Sequence, residues 1–181
     1  MSLPAIELHT ERLLLRPTQL VDFERWAELH ADADAARHIG GVQPRSVVWR
    51  AFMGMAGAWA LTGVAMFSVI DKRSGRWIGR IGPWQPEGWP GTEVGWALHP
   101  DAWGQGFASE AAVAAMDYAF DTLGWTEVIH SIDPANAPSQ RLAERLGSRR
   151  CESVNMPAPY QDVVCDIWRQ SRAEWQTRVR A

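Results

Sequence analysis

Gly104-Gln105-Gly106-Phe107-Ala108 follows Pro100 and opens directly into an alanine-rich run that stops at Gly124. The first backbone N–H groups of a helix have no intrahelical partner, and the helix dipole adds positive character there. A glycine-rich turn at that point can therefore hold phosphate oxygens. No Gly-Lys-Ser/Thr follows as in a Walker loop, and the third glycine of a dinucleotide fingerprint is replaced, so the motif is neither of these. A plain tight turn is the competing reading.

A carboxylate precedes this loop. In TEVGWALH (92–99), read as a strand, Glu93, Gly95 and Ala97 share one face and Val94, Trp96 and Leu98 the other. The large residues suit a core, whereas two small residues beside a carboxylate leave room for something to approach. A carboxylate whose pKa is raised by burial can take a proton from an ammonium group. Glu93 reads equally well as an ordinary strand carboxylate that faces solvent or pairs with an arginine such as Arg80. Further on, NAPSQRLAERLG opens with Asn136, a good helix cap, with Pro138 in the first turn and Ser139 placed to satisfy a free N–H. His99 before Pro100 reads as structural, and Tyr160 as loop packing. Arg141, Arg145, Arg149 and Arg150 read as a solvated face that could meet a phosphate, and Trp84 and Trp89 as core or as pocket walls.

The elements that must position these groups are legible from pattern. ERLLLRP predicts a first strand at about residues 11–16, ended by Pro17, and Asp22 is expected to cap a helix over 22–31. An Ala/Asp-rich loop follows, and Ser46 is placed to cap a second helix that ends near Thr62. Strands are expected at 64–70, 76–82, 92–99 and 126–132, with helices before Gly124 and from Asn136 to Gly147. Two closing strands, 149–155 and 161–168, flank the loop MPAPYQ, and a charged helix is expected over 171–180. This alternation indicates one layered α/β domain with a mixed sheet spanning 1–181.

The run LHPDAWGQGFASEA, the later NAPSQRLAERLG and the opening HTERLLLRP together resemble the Gcn5-related N-acetyltransferases, specifically their ribosomal-protein-alanine acetyltransferase-like branch. The resemblance covers about residues 8–168 and leaves 169–181 as a helical tail. It implies three layers, with a central, mostly antiparallel mixed sheet flanked by helices. It also implies acetyl-CoA as co-substrate, with the pyrophosphate on the backbone of Gly104, Gln105, Gly106, Phe107, Ala108 and Ser109. The pantetheine arm would run beside Trp96, Ala97 and Leu98, and Asn136 would contact it. Glu93 would be the general base. Ala143 stands where many relatives carry a tyrosine that protonates the departing thiolate, and Ser139 is the substitute that the branch suggests. Trp103 replaces the more usual Arg or Gln, a change that mostly main-chain phosphate contacts should tolerate.

The activity implied is acetyl transfer to a primary amine, either a protein N-terminus or a small molecule. An acyl-CoA-binding regulatory module with reduced turnover is the alternative that Ala143 raises. With 18 basic and 21 acidic residues the chain is too acidic overall to suggest a nucleic-acid partner. Two cysteines without zinc spacing predict reduced thiols and no metal. Residues 51–70 carry no formal charge, but Thr62-Gly63 divides them into a helix-like and a strand-like half, so no membrane span is expected. Without an apolar signal core before Glu7, the expected location is cytoplasmic. The tryptophan surplus makes a homodimer reasonable, and Asp32, Asp34 and Glu87 are the only acidic hints toward a cationic acceptor.

Overall fold

Leu13 and Leu15 are fully buried and alternate with half-buried Leu14 and Arg16, the period-two pattern of a strand with one face on the core. In the computed structural model, which describes residues 6–179, this strand is β2 (Leu13–Arg16). It is shorter than expected because Glu11 and Arg12 form the bend of a hairpin whose first arm is β1 (Leu8–His9). Three helices follow: α1 (Phe23–Ala31), the single turn α2 (Ala33–Ala36) and α3 (Arg45–Thr62). The Ala/Asp-rich segment thus contains a helix rather than only loop, since Asp32 Oδ1 accepts the N–H groups of Asp34 and Ala35 at 3.0 and 2.8 Å. Ser46 lies inside the first turn of α3, and Pro44 occupies the capping position.

Asp22 does not cap α1 with its side chain. Its carboxylate is 2% exposed and accepts both ends of the Arg16 guanidinium at 2.8 and 2.7 Å. It also accepts the Gln19 N–H at 2.9 Å and the Ser68 hydroxyl at 2.8 Å. Ser68 in turn accepts Trp77 Nε1 at 3.1 Å. A buried carboxylate with four donors is held more strongly than one spent on a helix end.

The remaining strands are β3 (Phe67–Asp71), β4 (Trp77–Trp84), β5 (Glu93–Leu98), β6 (Glu127–Ile132), β7 (Arg149–Asn155) and β8 (Val164–Ser171). Between them lie α4 (Phe107–Asp117), α5 (Ala137–Leu146) and, last, α6 (Arg172–Val179). Residue 180, the last of the expected tail helix, lies outside the described residues. The strand expected at 161–168 begins at Val164, because turns at Tyr160 and Val163 take up the intervening chain. It then runs on to Ser171, which pairs with Glu127. The uncharged stretch at 51–70 is the end of α3 plus most of β3, divided at Gly63, and no helix among the described residues is long and apolar enough to cross a membrane.

Among the described residues eight strands form one sheet, in the order β1-β2-β3-β4-β5-β6-β8-β7, flanked by helices. Every neighbouring pair is antiparallel except β5 and β6, which are parallel and share one register pair, Glu93 with Ile129. A parallel pair requires a crossover, and the glycine-rich turn with α4 supplies it. Trp26, Phe52, Trp59, Phe67 and Phe120 are the largest side chains enclosed in the core.

Asp22→Ala leaves the Arg16 guanidinium buried without its counter-ion. It should destabilise the protein by about 3–5 kcal/mol in urea titrations, with Asp22→Asn losing less.

Candidate functional site

β5 and β6 share only the pair Glu93 with Ile129, and beyond it the end of β5, Trp96 to Leu98, lines a cleft of about 710 Å³. His99 N–H bonds to Ile78 in β4, so odd-numbered backbone groups of this strand face β4 and even-numbered ones face the β6 side. Two of these groups are answered by side chains. Val94 C=O lies 2.6 Å from His130 Nδ1, and Leu98 C=O accepts Trp103 Nε1 at 2.9 Å. The same parity points the N–H and C=O of Trp96 into the cleft.

The opposite wall is the turn before α4. Gly104 and Gly106 both hold positive φ, 72° and 80°, which an L side chain adopts only with strain. Arg12 fixes this turn from outside: Nη1 donates to Gln105 C=O at 2.9 Å, and Nε pairs with Glu110 at 2.6 Å in the first turn of α4. Its guanidinium also lies 4.5 Å from the Phe107 ring centre. Drawing that carbonyl outward leaves the free N–H groups at the start of α4 toward the cleft.

Ten of the twelve residues assigned to the site from the sequence line this cleft: Trp96, Ala97, Leu98, Gly104, Gly106, Phe107, Ala108, Ser109, Asn136 and Ser139. Asn136 caps α5, accepting the Ser139 N–H at 3.2 Å. Ser139 therefore does not satisfy a free N–H as expected; its Oγ accepts Trp96 Nε1 at 3.0 Å. That bond leaves the hydroxyl proton available for donation. Gln105 is not on the cleft wall. Its carbonyl serves Arg12 and its side-chain amide donates to Asp101 C=O at 2.9 Å.

Glu93 lies deeper, about 10 Å below Trp96 at strand rise. It is 6% exposed and does not face solvent. Nor does it pair directly with Arg80; Trp89 Nε1 donates to its carboxylate. Burial pushes its pKa up to about 7, against the opposing pull of Trp89, Ser131 and the Arg80 charge. The two faces of β5 also depart from expectation. Gly95 leaves no open space, since a Cβ there would lie 2.5 Å from Met66 Cε and 3.1 Å from Glu93 Oε1. On the large face only Val94 is sealed in the core, while Trp96 turns to the cleft between Ser139 and the His130 ring.

The cleft also contains groups that spacing did not reveal. His38 Nδ1 meets Asp133 Oδ2 at 2.7 Å across 95 residues, beside Asp34, Arg37 and Ile39. Asp34 pairs with Arg37 and is thus not a free acidic lining. Of the four arginines read as a solvated face, Arg145 alone reaches the cleft, with Nε 3.4 Å from Ser109 Oγ. Arg149 and Arg150 pair with Glu174 and Asp166. His99 is held 2.8 Å from Asp101, a structural role. Ala143 is fully buried against Ile132 and Trp168. Among the described residues no group of three or more His, Cys, Asp and Glu is placed to hold a metal ion.

The family model described as "Acetyltransferase (GNAT) domain" matches residues 12–149. The chain is 31% identical over 147 residues to the uncharacterized N-acetyltransferase p20 of Bacillus licheniformis, covering 79% of this chain and 82% of that protein. It is 35% identical over 94 residues to the uncharacterized protein YkkB of Bacillus subtilis, a stretch spanning 51% of this chain and 55% of YkkB. The crystal structure of an acetyltransferase from Agrobacterium tumefaciens superposes with a TM-score of 0.83 at 28% identity, covering 95% of this chain and 98% of that one.

Glu93 binds its proton more tightly folded than unfolded, so between about pH 4.5 and 7 its contribution to stability falls as pH rises. His30 and His130, pushed down to about 4 by burial, act in the opposite sense between about 4 and 6.5. Their effect cancels when two variants are compared. The stability of Glu93→Gln relative to wild type should thus increase from pH 5 to pH 8, by roughly 1–3 kcal/mol in urea titrations. A difference that stays flat across this range would exclude the raised pKa.

Proposed function

The chain belongs to the acetyltransferase (GNAT) family and is an acetyl-CoA-dependent acetyltransferase, and from that premise we propose that it acetylates a primary amine by direct attack on the thioester. The observation that carries this reading is the pairing, in one cleft, of a strand edge with free backbone groups and a helix start with free N–H groups. Acetyl-CoA supplies the activated acyl group. Its pyrophosphate fits the N–H groups between Gly104 and Ser109, and its arm fits the Trp96 and Leu98 edge as an added strand beside Asn136. Arg145 is placed to meet a further phosphate.

The amine must be neutral to attack. Glu93, with a pKa near neutrality, can take the ammonium proton through a water that bridges the buried carboxylate to the cleft. The amine nitrogen then bonds to the acetyl carbon, the carbon–sulfur bond breaks, and the thiolate takes a proton. The Ser139 hydroxyl is the candidate donor, since Ala143 offers none. The ribosomal-protein-alanine acetyltransferase-like branch would make the acceptor a protein N-terminus; a small-molecule amine satisfies the same chemistry. A module with reduced turnover would keep the cleft and lose only the proton path.

Saturating acetyl-CoA or CoA, at 100 times its Kd, should stabilise the protein by about 2.7 kcal/mol, a rise in Tm on the order of 5–10 °C, whereas NAD and ATP should not. Absence of any rise would remove the donor-site reading. Glu93→Gln should retain that rise and lose roughly 10²-fold or more in turnover. Unchanged turnover would take Glu93 out of the mechanism.

A further inference from the structure

Arg80 in β4 is half-buried, and its guanidinium makes no salt bridge to any carboxylate among the described residues. Nε is enclosed without a hydrogen-bond partner, Nη1 reaches only Met66 Sδ at 3.5 Å, and Cζ lies 4.8 Å from the Trp26 ring centre. The orphaned groups form a cluster. Trp26 Nε1 and both ring nitrogens of His30 also lack partners among the described residues, and the Trp26 and His30 rings stack at 6.2 Å. Buried polar atoms are ordinarily satisfied, and several unsatisfied donors around one cation mark a place where an acceptor belongs.

The sheet register says where that place is. Arg80 stands directly across from Ala97, a cleft residue, and Trp84 directly across from Glu93. Side chains paired this way share one face of the sheet, so Arg80 lies at the cleft end of the face that holds Glu93 at the other. The Arg80 cation lies within electrostatic reach of Glu93 and of Tyr160, in the loop before β8. Met66, an unbranched side chain that adapts readily, fills the space over Gly95 between them.

We propose that Arg80, with His30 and Trp26, forms a carboxylate subsite, so that the acceptor is a small amine bearing a carboxylate, in the size range of an α-amino acid. The proposal rests on the amine-acetylation reading and selects within it. A carboxylate matches the planar guanidinium fork and neutralises its single charge. A phosphate dianion would leave an excess negative charge beside Glu93, and a protein N-terminus brings no carboxylate of its own to this depth. Bound in this way, the ammonium group points toward the Glu93 end, where its proton is removed.

The test measures thiol release from acetyl-CoA by the full-length protein with matched acceptors: each common α-amino acid, its amide and its decarboxylated amine, together with phosphoethanolamine and a free-N-terminal peptide. At least one amino acid should exceed its amide and amine by about tenfold or more in kcat/KM, mainly through KM, and should exceed phosphoethanolamine and the peptide. Arg80→Gln should bring the acid-to-amide ratio, taken within the variant, close to one at whatever absolute rate it retains, and Arg80→Lys should retain part of the preference. Equal or faster reaction of the amides, the peptide or phosphoethanolamine overturns the subsite, as does a ratio that survives in Arg80→Gln. The wild-type ratios decide the matter even if the variant fails to fold. Thiol release with amides but no amino acid sinks only the carboxylate subsite; no release with any amine sinks the acetylation reading beneath it.

Discussion

β5 and β6 run parallel in an otherwise antiparallel sheet, and one register pair, Glu93 with Ile129, holds them before they part. Were the pairing to continue, the backbone of Trp96 would be spent on β6, and the helix starts of α4 and α5 would face a closed sheet. Because it stops, side chains must answer the carbonyls left on β5, as His130 and Trp103 do at Val94 and Leu98. In the proposed reading, the arm of acetyl-CoA would take the role of the missing strand. The cleft, the position of the two helix starts and the depth of Glu93 all follow from that single divergence.

Two half-buried arginines show how differently the molecule treats charge in two places on one sheet. Arg16 is fully matched: Asp22 takes both ends of its fork, and Gln19 and Ser68 complete the carboxylate's bonds. Arg80, two strands away in the same row of the sheet, has a tryptophan ring and a thioether for neighbours, and desolvation lowers its pKa to about 10. The first arrangement fixes how the chain enters α1. The second leaves a cation without a carboxylate partner, which costs stability unless a bound anion supplies one.

Legibility in the sequence followed the range of the interaction. Gly104, Gly106, the start of α4, the Asn136 cap and the Gly147 stop are set by neighbours within a few residues, and they stand where the pattern puts them. Element types were readable for the same reason, while their ends moved wherever a turn or a strand partner intervened, as at Val164. The short β1 and the single-turn α2 were missed: two residues carry no period, and the Asp32 cap sits in an alanine-rich stretch that also reads as loop. What the sequence could not show is what distant residues do to one another. The burial of Glu93 and the meeting of His38 with Asp133 come from the fold, as do the escape of Gln105 to Arg12 and the isolation of Arg80.

The Arg12 contacts reach far along the chain, 93 residues to Gln105 and 98 to Glu110. During synthesis the first hairpin therefore waits for the crossover to be made, and the glycine turn takes its final shape only once both ends have met. The shape of the glycine turn is thus a joint property of the first hairpin and the crossover, and a fragment that lacks the hairpin lacks the outer anchor of that turn.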